Sequence, residues 1–164
     1  METLVKDQPT SALQTWGGLV VWIGICFGAA AIGSSFPIGD WYDQLNRPSW
    51  SPPNAVFGPV WSILYTCMAV AAWLVWKSNG IRGAQTPLTL FLVQLVLNAI
   101  WSWLFFGLHR IDLALAEIVL LFIAILVTMV LFFQRNRLAG CLLIPYLAWV
   151  GFASVLTFQY WRLN

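Results

Sequence analysis

Five long stretches of this chain contain no Asp, Glu, Lys or Arg: residues 8–39, 48–76, 83–109, 118–134 and 138–161. A helix that crosses a bilayer needs about 20 mainly apolar residues, and each stretch is of that order. Trimmed at Pro, Gly and polar residues, the predicted spans are about 15–34, 54–76, 87–108, 113–133 and 139–161. The alternating pattern of a membrane β-barrel is absent, so the spans are read as helices. Composition agrees: 60% of residues are hydrophobic and 9% are charged, with a net charge of +2. Soluble domains carry about 25% charged residues. A soluble enzyme, a disordered chain and a basic nucleic-acid binder are thereby excluded, and the first partner is the lipid bilayer.

The expected fold class is an all-α membrane protein, a single bundle of five transmembrane helices. Residues 1–14 would be a tail and residues 15–164 the five-helix domain. Three of the connections are short, which leaves no room for a second domain. Lys6, Lys77, Arg82, Arg135 and Arg137 fall on one side and Arg47, Arg110 and Arg162 on the other, favouring a cytoplasmic N-terminus. Glu2 and Asp7 dilute the basic start that a secretory signal would need, so the first span is kept as a helix. The longest loop, SFPIGDWYDQLNRPSWSPP at 35–53, has four Pro and three Trp or Tyr residues. Asp40 is placed to cap a short helix there. The loop reads equally as a stiff lid and as an interfacial aromatic belt.

Within the third span, Gln94, Asn98, Trp101 and Phe105 share one helix face. Amides are costly in lipid, so this face should turn inward, either to tie helices together or to wall a cavity. The second span aligns Phe57, Trp61, Tyr65 and Met68, and the fifth aligns Pro145, Trp149 and Ala153. Such stripes are commonly packing. Trp favours a pocket, because its N–H needs a partner that Leu or Phe would not. Glu117 is the acid that lies well inside a span, and a pair with Arg110 is expected, with Asp112 as the competing partner. Gly24 and Gly28 form a Gly-x-x-x-Gly face for a homodimer or for packing inside the bundle. Cys26, Cys67 and Cys141 lack metal-ligand spacing, and His109 is the lone histidine, so no metal site is expected. No nucleophile–base pair or nucleotide loop is visible.

The run Trp41-Tyr42-x-x-Leu45-x-x-Pro48-Ser49-Trp50-x-Pro52-Pro53 continues into Phe57-Gly58-Pro59-Val60-Trp61-x-x-Leu64-Tyr65-x-x-Met68. Later come Gln94-Leu95-x-Leu97-Asn98-x-x-Trp101, Phe105-Phe106-Gly107, Pro145-Tyr146-Leu147-Ala148-Trp149-x-x-Phe152-Ala153 and Trp161-Arg162-Leu163-Asn164. Over about residues 16–164 the chain resembles the TspO/MBR family. These are the tryptophan-rich sensory proteins of bacteria and the translocator proteins, or peripheral benzodiazepine receptors, of mitochondria. The resemblance implies a five-helix homodimer with a pocket under the first loop. The implied ligands are porphyrins such as protoporphyrin or a haem-like tetrapyrrole, sterols and benzodiazepine-type compounds, with no obligate cofactor. It places the pocket on Trp41, Trp61, Asn98, Trp101, Trp149 and Ala153, to which Tyr65 and Gln94 are added. Arg47 is placed to meet a propionate.

The family's sterol motif is displaced here to Leu156, Tyr160 and Arg162, with Phe158 where a Tyr is usual. A porphyrin role in a bacterial cell membrane is therefore expected over a sterol role in the mitochondrial outer membrane. The expected function is binding of porphyrins and other hydrophobic ligands for sensing, transport or oxidative-stress control. One alternative is an enzyme that degrades porphyrin with light and oxygen, through Trp61 and Trp149. The other is a regulatory membrane subunit with no ligand.

Overall fold

The computed structural model describes residues 12–36 and 39–164. Most of the expected tail, with Glu2, Lys6 and Asp7, lies outside the described residues, as do Pro37 and Ile38 of the first loop. Five long helices and one short one follow in order: α1 (Ala12–Ser34), α2 (Asp40–Gln44), α3 (Asn54–Gly83), α4 (Gln85–Ser102), α5 (Ile111–Arg135) and α6 (Arg137–Leu163). A π-turn, Trp103–Gly107, extends α4. Five helical segments among the described residues are long and apolar enough to cross a membrane. The protein is an integral membrane protein built as a five-helix bundle.

The helices run past the ends expected from the apolar windows. α3 carries Lys77 and stays helical to Asn79, where Gly80, at φ +65°, turns the backbone before α4 begins. A charged side chain at a span's edge reaches the headgroups along its own stem, so it does not end a helix. Glycine suits the break, because a left-handed φ costs it little. At the next turn His109 has φ +56°, an uncommon conformation for a side-chain-bearing residue that His tolerates more readily than most. α6 passes through Pro145 without interruption. Asn136 caps it, its side-chain oxygen accepting from the Ala139 N–H at 3.1 Å.

Two local expectations are corrected, and one open alternative is closed. Gly39, not Asp40, takes the cap position of α2, and Asp40 is already the first helical residue. Arg110 pairs with Asp112 at 2.6 and 2.8 Å, not with Glu117. Asp112 begins α5 beside Arg110 at the exposed end, whereas Glu117 is over a turn deeper and buried, with neither carboxyl oxygen partnered. Gly24 and Gly28 do not serve packing inside the bundle, since a Cβ on either would meet nothing within 4 Å.

α5 packs mainly on α6 and α4, and α1 on α3. The densest packing lies at the end away from the long loop. There Ala69, Ala71, Ala72, Val75, Phe132 and Ala139 are fully buried. Phe91 and Phe132 stack at 5.7 Å, within the favoured range for ring pairs. Gly18 sits under the Trp76 ring and Gly140 under Phe133, each so close that a Cβ would collide.

Candidate ligand-binding site

At the loop end the same helices separate around a cavity of about 590 Å³. That lies within the range of small-molecule pockets. α3 contributes Phe57, Trp61 and Tyr65, α4 contributes Asn98 and Trp101, and α6 contributes Trp149 and Ala153. These three faces are the stripes that periodicity picks out, and the helices bring them together. Ala153 stands one turn from Trp149 and leaves room beside its indole. Trp61 packs against Tyr65 at 5.5 Å and against Tyr146 at 6.2 Å. Trp101 stacks on Phe105 at 5.1 Å, and its indole N–H is buried without a hydrogen-bond partner. A buried donor left unpaired costs free energy, which an acceptor in the cavity would recover.

Behind this wall runs a polar chain. The Tyr65 hydroxyl donates to Asn98 Oδ1 at 2.6 Å, and Asn98 Nδ2 donates to the Tyr146 hydroxyl at 3.2 Å. Tyr146 donates in turn to Gln94 Oε1 at 2.8 Å. Asn98 thus faces the cavity while Gln94 holds its support from behind. Gln94 is 1% exposed and does not line the cavity. The network answers the open question about this helix face: the amides both tie α3, α4 and α6 together and present one of their number to the cavity.

The loop forms the roof. Tyr42 of α2 is buried, and its hydroxyl shares a hydrogen bond with Tyr160 at 2.9 Å. Burial, and then the bond to Tyr160, push the Tyr42 hydroxyl pKa well above its usual value. Ser51 also bonds Tyr160, at 3.2 Å. Asn46 exchanges hydrogen bonds with Asn164: its N–H donates to Asn164 Oδ1 at 2.9 Å, and Asn164 Nδ2 donates to the Asn46 carbonyl at 3.3 Å.

Two loop residues expected in the pocket are placed elsewhere. Trp41 does not line the cavity; it stacks on His109 at 4.2 Å with the rings 14° apart, and touches Phe105 edge-on. Arg47 is engaged by Asp43 and by the Tyr42 carbonyl, with its guanidinium 4.5 Å from the Tyr42 ring centre. Of the displaced sterol motif, Leu156 and Tyr160 face the cavity, while Arg162 is outside against Phe158. The three do not form one lipid-facing surface.

Sequence reasoning placed Phe105 on the candidate wall but did not assign Tyr42 or Tyr146 to the site. Nothing in the sequence marked them: all four tyrosines are buried, although tyrosine in membrane proteins favours the interface. The described residues of the lining include no His, Cys or Met. Among the described residues no three His, Cys, Asp or Glu side chains gather as a metal site.

Comparison with known proteins leads to the same place. Residues 19–162 match the model of the TspO/MBR family. The translocator protein of Homo sapiens is 42% identical over 138 residues, covering 81% of this chain and 82% of that protein. The tryptophan-rich protein TspO of Chlorobaculum tepidum is 41% identical over 153 residues, 89% and 95% of the two chains. Protein CrtK of Rhodobacter capsulatus is 39% identical over 148 residues, 88% and 91%. With its five spans, its aromatic cavity and matches over most of its length, the chain belongs to the TspO/MBR family.

Proposed function

We propose that this protein is a membrane receptor of the translocator type that binds a porphyrin, protoporphyrin above all, in the cavity at the loop end. The supporting observation is the wall itself. Indoles of Trp61, Trp101 and Trp149 and the Asn98 amide converge on one cavity. A flat conjugated ring stacks on indoles, and its polar edge meets an amide and the unpaired Trp101 N–H. Among the described residues the lining has no His, Cys or Met to take an axial position, and the hydroxyls of Tyr42, Tyr65 and Tyr160 are each held in a hydrogen bond within the fold, which favours the metal-free ring over haem. Binding for sensing or stress control needs nothing more. Directed pumping would need coupling groups, and the described residues that line the cavity include no Asp, Glu, Lys or Arg. A homodimer through the outward face that carries Gly24 and Gly28 is part of the proposal, because those glycines leave open space on the lipid side.

The test is a protoporphyrin titration of the purified chain, read by the shift of the porphyrin absorption band. Saturable binding in the wild type, weakened about tenfold or more in Trp61→Phe and Trp149→Phe, is expected. Unsaturable binding, or equal binding in all three, would overturn it. Illumination of the same samples separates receptor from enzyme. Porphyrin loss no faster than in free solution is expected of a receptor, while loss that depends on Trp61 or Trp149 would mark a degrading enzyme.

A further inference from the structure

We propose that the cavity is loaded sideways from the bilayer, through a gap between α1 and α3, and not through the loop. This rests on the ligand-binding reading above and adds the route, and with the route the class of ligand: a molecule already dissolved in the membrane.

The gap follows from how α1 is held. At the far end it is gripped by α3. Trp73 Nε1 donates to the Thr15 carbonyl at 2.9 Å, Trp16 stacks on Trp73 at 6.0 Å, and Gly18 lets the Trp76 ring close in. Midway, Phe27 still meets Tyr65 at 6.3 Å. α1 also rests on α4, with Trp22 edge-on to Phe91 at 5.8 Å low down and Gly33 against Ser102 at the loop end, where a Cβ would come within 3.3 Å of the hydroxyl. Its ring contacts with α3, by contrast, end at Phe27, and beyond that point the cavity reaches the surface between the two helices.

The exposure of the lining maps that gap. The described cavity residues that are also exposed are Phe27, Ala31 and Ser34 of α1 and Gly58 and Ser62 of α3. Every lining residue from α2, α4, α5 and α6 is buried or half-buried. The rim is small and effectively apolar. Ser34 and Ser62 turn their hydroxyls back onto their own helices, to the Ala31 carbonyl at 3.0 Å and the Gly58 carbonyl at 2.9 Å. A flat, largely apolar ring passes such a rim without breaking a hydrogen bond of the protein. Entry past the loop must instead break the Tyr42–Tyr160 and Ser51–Tyr160 bonds and the paired Asn46–Asn164 bonds.

The test places a bulky ring on either side of the gap, Ala31→Phe on α1 and Ser62→Phe on α3, and loosens the roof with Asn46→Ala. The full chain is reconstituted in phosphatidylcholine vesicles that already contain protoporphyrin, and association is followed by stopped-flow. Both Phe variants should associate about tenfold more slowly, with Asn46→Ala within about twofold of wild type. The reverse pattern, fast Asn46→Ala and unaltered Phe variants, would overturn the route. A second readout uses no porphyrin. Phosphatidylcholine brominated on its acyl chains should quench Trp61, identified by difference from Trp61→Phe, and Ala31→Phe should remove that quenching. No quenching of Trp61 overturns the gap even if porphyrin binds. Quenching with no porphyrin binding supports the gap and overturns the ligand assignment instead.

Discussion

The two ends of this bundle use the same residue types to opposite effect. Away from the loop, rings close on glycine or stack in buried pairs: Trp76 over Gly18, Phe133 over Gly140, and Phe91 on Phe132. Beside Trp76 and Phe133 the ring fills the space that a missing side chain leaves. At the loop end, rings meet rings around an open space. Trp61, Trp101, Phe105 and Trp149 abut one another's neighbours edge-on or offset, and the void between them is the cavity. An aromatic residue in a membrane helix thus packs or lines according to what faces it, and its own identity does not decide which.

That contrast can be broken by adding bulk at each end. Gly140→Leu forces a side chain into the Phe133 ring and should cost about 3 kcal/mol, seen as a lower midpoint of thermal unfolding in detergent. Asn98→Leu, between the two regions, leaves the Tyr65 hydroxyl without its acceptor. A loss of about 2 kcal/mol in the same assay is expected, together with weaker porphyrin binding. Ala153→Leu occupies the cavity beside Trp149. It should leave the unfolding midpoint nearly unchanged and weaken porphyrin binding about tenfold, measured by titration. If it destabilised as Gly140→Leu does, the two ends would not differ in packing.

The smallest effect concerns the roof. The fold holds the Tyr42 proton more tightly than the unfolded chain does. Its stabilising contribution is therefore complete below the ordinary tyrosine pKa of about 10 and is lost as pH rises above it. A loss of about 1 kcal/mol on going to strongly alkaline pH is expected, and Tyr42→Phe should abolish that part of the pH dependence.

The fold was legible because the bilayer reads charge before anything else. A run such as 83–109, free of Asp, Glu, Lys and Arg, has few other destinations than a membrane-spanning helix. Much of the cavity wall was legible too, since Trp61, Asn98, Trp101 and Trp149 sit on stripes with a helical period. What local spacing does not carry is which helix faces which. Tyr42 and Tyr160 meet across 118 positions of sequence, and no period within either segment foretells it. Trp41 shows the converse. Its neighbours form the roof, yet its ring is taken by His109 at a turn whose left-handed backbone has no sequence signature as clear as glycine's. Glu117 was misassigned because a seven-residue separation from Arg110 looks bridgeable until burial is known.

The placing of the tyrosines has a practical consequence. Tyr42, Tyr65 and Tyr160 line the cavity and Tyr146 stands directly behind Asn98, and these are the chain's four tyrosines. Uniform replacement by fluorotyrosine therefore gives a spectrum with no background from the rest of the bundle. Every resonance in it reports from the roof or the wall. The molecule carries its own sparse label, and occupancy of the site can be read without introducing a single mutation.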